Sequence, residues 1–483
     1  MGDSTPVIVW LRRDLRLADN RALHRAATSG RPVIPVYILW AASRERRNPG
    51  AASRWWLHHS LAALREDLER LGVPLLLRKG RPRDELMRLA AETGARAILC
   101  NRHYEPRWRA EEREIRQAAE REGIAFERFD GSMLHDPDAI TGKSGRPLKV
   151  FSAFWRACLA RDAPPFPVPF PAALVRFGSP IEGDALEDWN LLPNGFDWSG
   201  GLRDSWSPGE RGATERLEAF LDEAMELYAT ARDLPYREGT SRLSAHLHFG
   251  EISACRIWHA VRDRMDRAGG RLDSGGAGFL RELGWREFNM HLLGQFPDIH
   301  ERPIRREFEH FPWLSDATAL DAWRKGKTGY PIVDAGMREL WQTGWMHNRV
   351  RMIAASFLVK DLMIPWRKGE EWFWDTLVDA DLANNAGNWQ WVAGCGADAA
   401  PYFRIFNPVL QARKFDPDGE YIRKWVPEIA RLPDSQIHAP WEASEAVRAA
   451  AGIRLGETYP APVVRHDRAR ARALEAFKSL GQR

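Results

Sequence analysis

The sequence of 483 residues contains few cysteines and little excess charge. Its four cysteines, Cys100, Cys158, Cys255 and Cys395, lie far apart and form no CxxC pair. This spacing matches neither a disulfide framework nor a zinc site, so we expect no metal and predict reduced, structural cysteines in a cytoplasmic protein. The formal net charge is only +4. Any contact with nucleic acid must therefore come from a local basic patch.

Long apolar runs and common nucleotide-binding motifs are also missing. No stretch is long and apolar enough to span a bilayer, and the N-terminus lacks the apolar core of a secretion signal. We therefore expect no membrane partner. No GxGxxG follows the first strand-like run, so the sequence does not predict a Rossmann dinucleotide-binding site. TGKSG at 141–145 lacks the first glycine of a P-loop, because Pro137 stands at that position, and we interpret it as a loop.

Tryptophan is the residue present in unusual number. The chain has 22 tryptophans against 8 tyrosines. Packing in the core and on the surface explains many of them. It explains less well the preference for the ring that stacks more strongly and is more easily oxidised.

The first part of the chain alternates strand-like and helix-like segments. Short β-rich apolar runs, typical of buried parallel strands, occur at 7–12, 32–39, 74–78, 97–100 and near 124–131. Helical patterns lie between them, such as the one that ends at Gly72. This alternation predicts a doubly wound, Rossmann-like α/β domain over residues 1–130.

The rest of the chain predicts a connector and a helical domain. Residues 131–205 contain APPFPVPFP at 163–171, which cannot form regular helix or a central strand. From about Thr214 onward the pattern is helical. We therefore predict a long connector over 131–205 and an all-α domain over 206–483.

Segment 238–253 offers hydroxyl groups and one cation at a helix start. Thr240, Ser241, Arg242 and Ser244 fall together there. Such groups, with free backbone N–H groups, are suited to holding a diphosphate. A helix that is capped by its own serine or threonine is the alternative.

The helical pattern of RELGWREFNMH, 281–291, places Glu282, Trp285 and Arg286 on one face. An acid beside a large flat ring suits stacking on a base and hydrogen bonding to its edge. The alternative is a Glu282–Arg286 pair on a solvated face, with Trp285 half buried.

A second helix, within 345–366, has a core stripe and a separate polar face. Its predicted core residues are Val350, Ile353, Ala354, Phe357 and Leu358. Asn348, Arg351 and Met352 fall on another face, which lines a pocket or is half exposed.

The stretch DADLANNAGNWQW, 379–391, concentrates acids, amides and tryptophans. Asp379 is placed to pair with Arg351, and Asn384 or Asn385 to offer an amide to a heterocycle. An asparagine-rich capping turn is the alternative. Further on, Arg404 and Gln411 lie in a modestly basic and aromatic segment that suits phosphate contacts.

Together these segments resemble the photolyase and cryptochrome family over nearly the whole chain. The resemblance begins with VIVWLRRDLRLADNRAL and is strongest through GTSRLS, ELGWREF, TGWMHNRVRM, DADLANNAGNWQW and DAAPYFRIFNP. Several long motifs in the same order are more specific than any one of them. The resemblance implies an α/β antenna domain, a long connector and a helical domain that binds FAD.

The resemblance also implies roles for individual residues. Arg351 and Asp379 match the pair beside the isoalloxazine ring, Asp381 lies near its edge, and Asn385 faces flavin N5. The residues expected to bind FAD are Tyr228, Thr240, Ser241, Arg242, Leu243, Ser244, Phe279, Arg286, Asn348, Arg351, Asp379, Asp381 and Asn385. Trp389, Trp366 and Trp313 match an electron chain that leads to the surface.

The implied reaction is light-driven repair of cyclobutane pyrimidine dimers in damaged DNA. Glu282 and Asn385 join the three tryptophans as the expected catalytic residues. The expected contacts to the lesion and DNA are Arg232, Glu282, Trp285, Asn348, Arg349, Met352, Trp391, Arg404 and Gln411. We expect the protein to act as a monomer.

Two alternatives within the family remain open at this point. A signalling cryptochrome would bind FAD without repair, but Asn385 is an amide where plant cryptochromes carry an acid. Enzymes that repair the (6-4) photoproduct have histidines at the positions of Asn348 and Met352. Phe279 stands where some relatives have tryptophan, so stacking there differs.

The antenna pigment is expected to be methenyltetrahydrofolate, with 8-hydroxy-5-deazaflavin as the alternative. Arg54, Tyr104 and Glu105 lie in segments that match the antenna pocket, and either pigment fits them. We favour the folate because the chain as a whole resembles the bacterial branch related to plant cryptochromes.

Overall fold

The chain forms two compact units. The computed structural model describes residues 5–40, 47–398 and 403–480, so residues 399–402 of the motif DAAPYFRIFNP lie outside the described residues. The first unit comprises residues 1–199, 206–223 and 241–297, and the second comprises 200–205, 224–240 and 298–483. The units interleave along the sequence, so the domain boundaries at 130 and 205 stay predictions.

A parallel sheet forms the centre of the first unit, as predicted. Its strands are β1 (Val7–Leu11), β2 (Pro32–Leu39), β3 (Leu76–Lys79), β4 (Ala97–Asn101) and β5 (Ala125–Phe129), in the order β3-β2-β1-β4-β5. All pairs are parallel, with Val7 opposite both Val33 and Ala97. Every residue of β1 is buried, which explains its uninterrupted apolar sequence. The reversal of strand order at β1 and β4 is the doubly wound arrangement.

One strand was not indicated by the sequence. β6 (Val175–Arg176) pairs with the start of β2, opposite Pro32 and Val33. Both of its residues are exposed, so no apolar pattern marks them. Residues 163–171, by contrast, contain no helix or strand, as their prolines predict.

Helices complete the first unit. Numbered along the chain, they are α1 (Arg21–Thr28), α2 (Ala51–Arg70), α3 (Pro82–Thr93), α4 (Pro106–Arg121), α5 (Phe151–Leu159), α7 (Glu210–Ala219), α9 (Ser244–Phe249), α10 (Ala254–Arg267) and α11 (Asp273–Gln295). α2 ends just before Gly72, whose φ of 78° is the left-handed conformation expected after a helix.

The second unit is helical. Its helices are α6 (Gly200–Ser205), α8 (Tyr228–Ala231), α12 (Ala317–Arg324), α13 (Pro331–Thr343), α14 (Asn348–Ser356), α15 (Trp366–Thr376), α16 (Leu382–Ala393), α17 (Pro408–Phe415), α18 (Glu420–Trp425), α19 (Asp434–Ile437), α20 (Glu445–Ala450) and α21 (His466–Leu480). A π-helical turn, Phe357–Asp361, follows α14. The predicted core stripe is confirmed, because Val350, Ile353, Ala354, Phe357 and Leu358 are all at most 1% exposed. Within the described ranges, no helix has the length and apolar character needed to cross a membrane.

Candidate functional site

The predicted pair of Arg351 and Asp379 is present in the second unit. The guanidinium of Arg351 donates to both carboxylate oxygens of Asp379, at 3.2 and 2.9 Å. Its Nε donates to the carbonyl of Met346 at 2.7 Å. The side chain of Asp379 is 4% exposed and that of Arg351 is 24% exposed. The two planar groups are therefore fixed in one orientation while Arg351 keeps an accessible edge.

The asparagines that follow Asp379 divide between two roles. Asp381 is the N-cap of α16, and its side chain accepts from the backbone N–H and the side-chain amide of Asn384, at 2.9 and 2.8 Å. The capping interpretation is thus confirmed for these two residues. Asn385 is 8% exposed, and its Nδ2 donates to the backbone carbonyl and the carboxylate of Glu370, at 3.0 and 2.8 Å.

These contacts use the amide nitrogen of Asn385 and leave its carbonyl oxygen available. Within the described part of the chain, no group donates to Oδ1 of Asn385. A ligand that carries an N–H group would satisfy this oxygen. We call Arg351, Glu370, Asp379, Asp381 and Asn385 the Asp379 cluster.

The three tryptophans of the predicted electron chain share one apolar cluster. Trp389 and Trp366 are buried members, and Trp313 packs against the cluster while partly exposed. The ring of Trp389 lies 5.0 Å from that of Phe373. A Cβ at Gly369 would come within 2.1 Å of Trp389, so only glycine fits against this ring.

The first turn of α14 carries three of the expected DNA contacts. Asn348 is exposed, and Met352 is half buried with its sulfur 3.9 Å from Arg349. Arg349 forms an ion pair with Asp233 at 2.8 Å and lies 4.3 Å above the ring of Phe415. Arg349 is therefore already neutralised within the second unit.

The remaining predicted residues of this unit are spread over several elements. Arg232 lies 5.3 Å above the ring of the buried Tyr228. Arg404 is exposed beside the ring of Phe406, at 4.7 Å. The other three, all half buried, are Thr240, Trp391 and Gln411.

In the first unit, the hydroxyl-rich segment is not a self-capped helix. α9 begins at Ser244 with Leu243 at the N-cap, and no side chain caps it. Arg242 has a φ of 52°, a left-handed conformation that non-glycine residues rarely adopt. Such conformations gather at ligand sites, where the surrounding structure holds them in place. Ser241 uses its hydroxyl locally, accepting from the N–H of Leu243 at 3.4 Å.

α11 places an acid beside a stacked ring, as the sequence predicts. Glu282 and Trp285 are half buried. The ring of Trp285 is stacked on that of Phe151, with centroids 3.7 Å apart and planes 7° apart. One face of Trp285 is thereby covered and held. Phe279 is buried against the ring of Phe220 at 4.3 Å.

Arg286 contacts groups other than those expected from helical spacing. It donates to the carbonyl of Ser132 at 3.0 Å and pairs with Glu287 at 3.1 Å. Glu287 is 3% exposed and accepts from the N–H of Leu134 at 2.9 Å. Burial raises the pKa of Glu287 to about 7, against the opposing effect of Arg286.

The expected antenna residues also lie in the first unit. Glu105 is fully buried between Arg13 and Arg107, at 2.5 and 3.1 Å. The hydroxyl of Tyr104 donates to Asp130 at 3.0 Å, and burial raises the pKa of Tyr104 well above its ordinary value. Arg54, on α2, donates to the carbonyl of Pro49 at 2.8 Å.

Sequence reasoning missed the partners that hold several of these groups. Glu370 lies on α15, the helix before that of Asn385. Asp233 lies more than a hundred residues before Arg349. Phe151 belongs to a segment that the sequence marks only as connector. Helical spacing reveals neighbours on one helix, so contacts between separate elements gave no local signal.

Comparison with known proteins identifies the family. The model for the FAD binding domain of DNA photolyase matches residues 279–479, and the DNA photolyase model matches residues 7–172. A deoxyribodipyrimidine photo-lyase from Agrobacterium fabrum is 48% identical over 99% of this chain and 98% of the relative. Cryptochrome-1 of Arabidopsis thaliana is 39% identical over 98% of this chain and 70% of the relative. The chain belongs to the DNA photolyase family.

Solved structures agree with this assignment. The crystal structure of a bacterial class III photolyase from Agrobacterium tumefaciens has a TM-score of 0.96 and 47% identity, covering 100% of this chain and 99% of the other. An archaeal photolyase from Sulfolobus tokodaii, solved with two FAD molecules, has a TM-score of 0.82 and 28% identity. It covers 98% of this chain and 100% of the other. The predicted fold class, an α/β region followed by a helical FAD-binding domain, is confirmed.

Proposed function

We propose that this protein repairs cyclobutane pyrimidine dimers in DNA, driven by light and with FAD as its cofactor. The observation that carries the proposal is the Asp379 cluster, which lies inside the segment matched by the FAD-binding model. Relatives named as photolyases support the same reaction class.

The residues of this cluster suit a flavin. A flavin ring presents both N–H donors and carbonyl acceptors along one edge. Oδ1 of Asn385 supplies an acceptor, and Arg351, held by Asp379, supplies a fixed cation with an accessible edge. In the first unit, the strained backbone at Arg242 and the uncapped start of α9 suit a phosphate group, with Ser241 and Ser244 as further contacts.

Bound, reduced FAD would supply the excited electron that cleaves the dimer. The protein's own residues bind and orient the lesion. Extracting a dimer from the duplex costs a few kcal/mol, less than for an intact base pair. Trp285 and Trp391 are proposed to stack on it, and Glu282 to hydrogen-bond the pyrimidine edge. The residues proposed to surround the lesion and its phosphates are Arg232, Asn348, Arg349, Met352, Arg404 and Gln411.

Trp389, Trp366 and Trp313 are proposed to carry electrons inward when FAD has to be reduced. A tryptophan ring gives up an electron and passes on the hole, whereas phenylalanine does so far less readily. Trp366→Phe should slow photoreduction while chemically reduced enzyme repairs normally. Trp425→Phe, at another ring that packs against the same apolar cluster, is the matched control. Normal photoreduction in Trp366→Phe would remove this assignment.

The experiment that tests the function is a repair assay. Purified, photoreduced protein is illuminated with single- and double-stranded DNA that contains a thymine dimer, and the dimer is quantified against a dark control. We expect light-dependent loss of the dimer in both substrates. Unchanged dimer, with reduced FAD verified by absorption, would favour the alternative of a signalling cryptochrome without repair activity.

The antenna proposal is tested separately. We propose methenyltetrahydrofolate, with Arg54, Tyr104 and Glu105 in its pocket. The absorption spectrum of protein purified under mild conditions distinguishes the folate from a deazaflavin, because the two pigments absorb at different wavelengths. A deazaflavin spectrum would overturn the folate proposal and leave the repair function standing.

A further inference from the structure

A pocket in the first unit is lined by arginines that the repair reaction does not use. It has a volume of about 280 Å³ and lies beside α4, near the carboxyl ends of β4 and β5. Its lining residues are Arg102, His103, Tyr104, Arg109, Glu112, Arg113, Arg116 and Arg128. Tyr104 is also one of the expected antenna residues, so the two sites adjoin at this side chain. We call it the α4 pocket.

Most of the charges around this pocket are already balanced. Glu112 pairs with Arg128 at 2.9 Å and with Arg12 at 2.6 Å. Arg102 pairs with Asp130 and Asp136 at 3.0 and 2.9 Å. Arg109 forms two hydrogen bonds with Asp138, at 2.6 and 3.1 Å. These contacts fix three guanidinium groups as the walls of the pocket.

Two arginines of the pocket lining have no carboxylate partner among the described residues. Arg113 and Arg116 are exposed, and within the described residues neither forms a hydrogen bond or an ion pair. With Arg109 they recur at i, i+4 and i+7, so all three face the same side of α4. Like charges at these spacings destabilise a helix by a few tenths of a kcal/mol per pair. A bound anion would reverse the sign of that effect.

We propose that the α4 pocket binds a small anion that carries two or more phosphate groups. Guanidinium groups match phosphate oxygens in pairs of hydrogen bonds, and arginine is the residue that most often provides this geometry. The volume of about 280 Å³ suits an oligophosphate or the phosphates of a nucleotide rather than a DNA duplex. Arg113 and Arg116 supply the uncompensated charge, and the paired arginines supply the fixed donors.

The test is calorimetric titration of the FAD-loaded protein with tripolyphosphate, ATP and citrate at one ionic strength. We expect tripolyphosphate to bind, and citrate to bind more weakly because its carboxylates are spaced differently. ATP that binds more tightly than tripolyphosphate would identify a nucleotide, and equal binding would identify a free oligophosphate. Both results support the proposal.

Variants locate the binding. Arg113→Gln/Arg116→Gln should weaken tripolyphosphate binding by about tenfold or more, since it removes several charge-assisted hydrogen bonds. Arg121→Gln/Arg262→Gln removes two other exposed arginines of the same unit and should leave the affinity unchanged. No binding by the parent protein, equal loss in both double variants, or citrate binding as tight as tripolyphosphate would each overturn the proposal. Thermal unfolding of each variant verifies that it is folded.

Discussion

The Asp379 cluster and the α4 pocket both contain arginines and carboxylates, but they balance charge differently. In the cluster, Arg351 and Asp379 neutralise each other, and the carboxylate is almost fully buried. In the pocket, Arg113 and Arg116 are exposed and have no carboxylate among the described residues. A paired arginine and buried carboxylate hold their geometry without a ligand, whereas exposed, unpaired cations are ready to accept an anion from outside. The two regions should therefore respond very differently to substitution.

The largest effect is expected from Arg351→Ala, which removes the partner of the buried Asp379 carboxylate. It leaves the carboxylate of Asp379 buried and unpaired, a change that typically lowers the free energy of unfolding by about 3–5 kcal/mol. The loss is measured by denaturant unfolding, and FAD retention should fall with it. Arg465→Ala, which breaks an exposed pair with Asp467, is the control and should lower stability by less than about 1 kcal/mol. Equal losses in the two variants would remove the distinction between buried and exposed pairs.

Glu287 is a second buried carboxyl, and it differs from Asp379 because burial raises its pKa well above the ordinary value. The pKa of Glu287 is about 7 in the folded protein and 4.5 in the unfolded chain. Its contribution to the free energy of unfolding is therefore fully present below about pH 4.5 and is lost as the pH rises through 7. The difference corresponds to about 3 kcal/mol. Between about pH 5 and pH 8, the parent protein should therefore lose stability relative to Glu287→Gln.

Unfolding free energies measured across this range check the prediction. Glu66→Gln, at a carboxyl that is 69% exposed, is the control and should follow the parent protein in parallel. If the curve of Glu287→Gln is also parallel to that of the parent, the raised pKa is wrong.

Trp285 is expected to act by stacking, whereas the Asp379 cluster and the α4 pocket act through charge. Trp285→Ala removes a stacking surface and should weaken binding of dimer-containing DNA by about 1–3 kcal/mol. Trp285→Phe keeps a ring against Phe151 and should weaken it less. Binding is measured by fluorescence anisotropy with lesion-containing and undamaged DNA. Unchanged affinity for the lesion in Trp285→Ala would exclude this residue from the lesion site.

The smallest effect on stability is expected from Arg113→Gln/Arg116→Gln. Exposed residues without partners usually change stability by no more than about 0.5 kcal/mol. Thermal unfolding with and without tripolyphosphate measures this. A loss comparable to that of Arg351→Ala would show that these arginines hold the fold rather than an anion.

Patterns along one element were predictable from the sequence, and contacts between elements were not. The apolar runs specified β1 to β5, and the periodicity of 350–358 specified the buried stripe of α14. The pair of Arg351 and Asp379 could be proposed because both lie in conspicuous polar segments. The hydrogen bond of Asn385 to Glu370 could not, since nothing in α15 marks one glutamate above its neighbours. β6 was missed because two exposed residues carry no apolar pattern.

The most direct test of the central claim compares two lesions in one DNA sequence. Reduced, FAD-loaded protein is illuminated with oligonucleotides that contain either a cyclobutane dimer or a (6-4) photoproduct, and restored thymines are counted. We predict that the cyclobutane dimer is reversed in the light and that the (6-4) photoproduct is unchanged. An unchanged cyclobutane dimer, or reversal of the (6-4) photoproduct alone, would contradict the account.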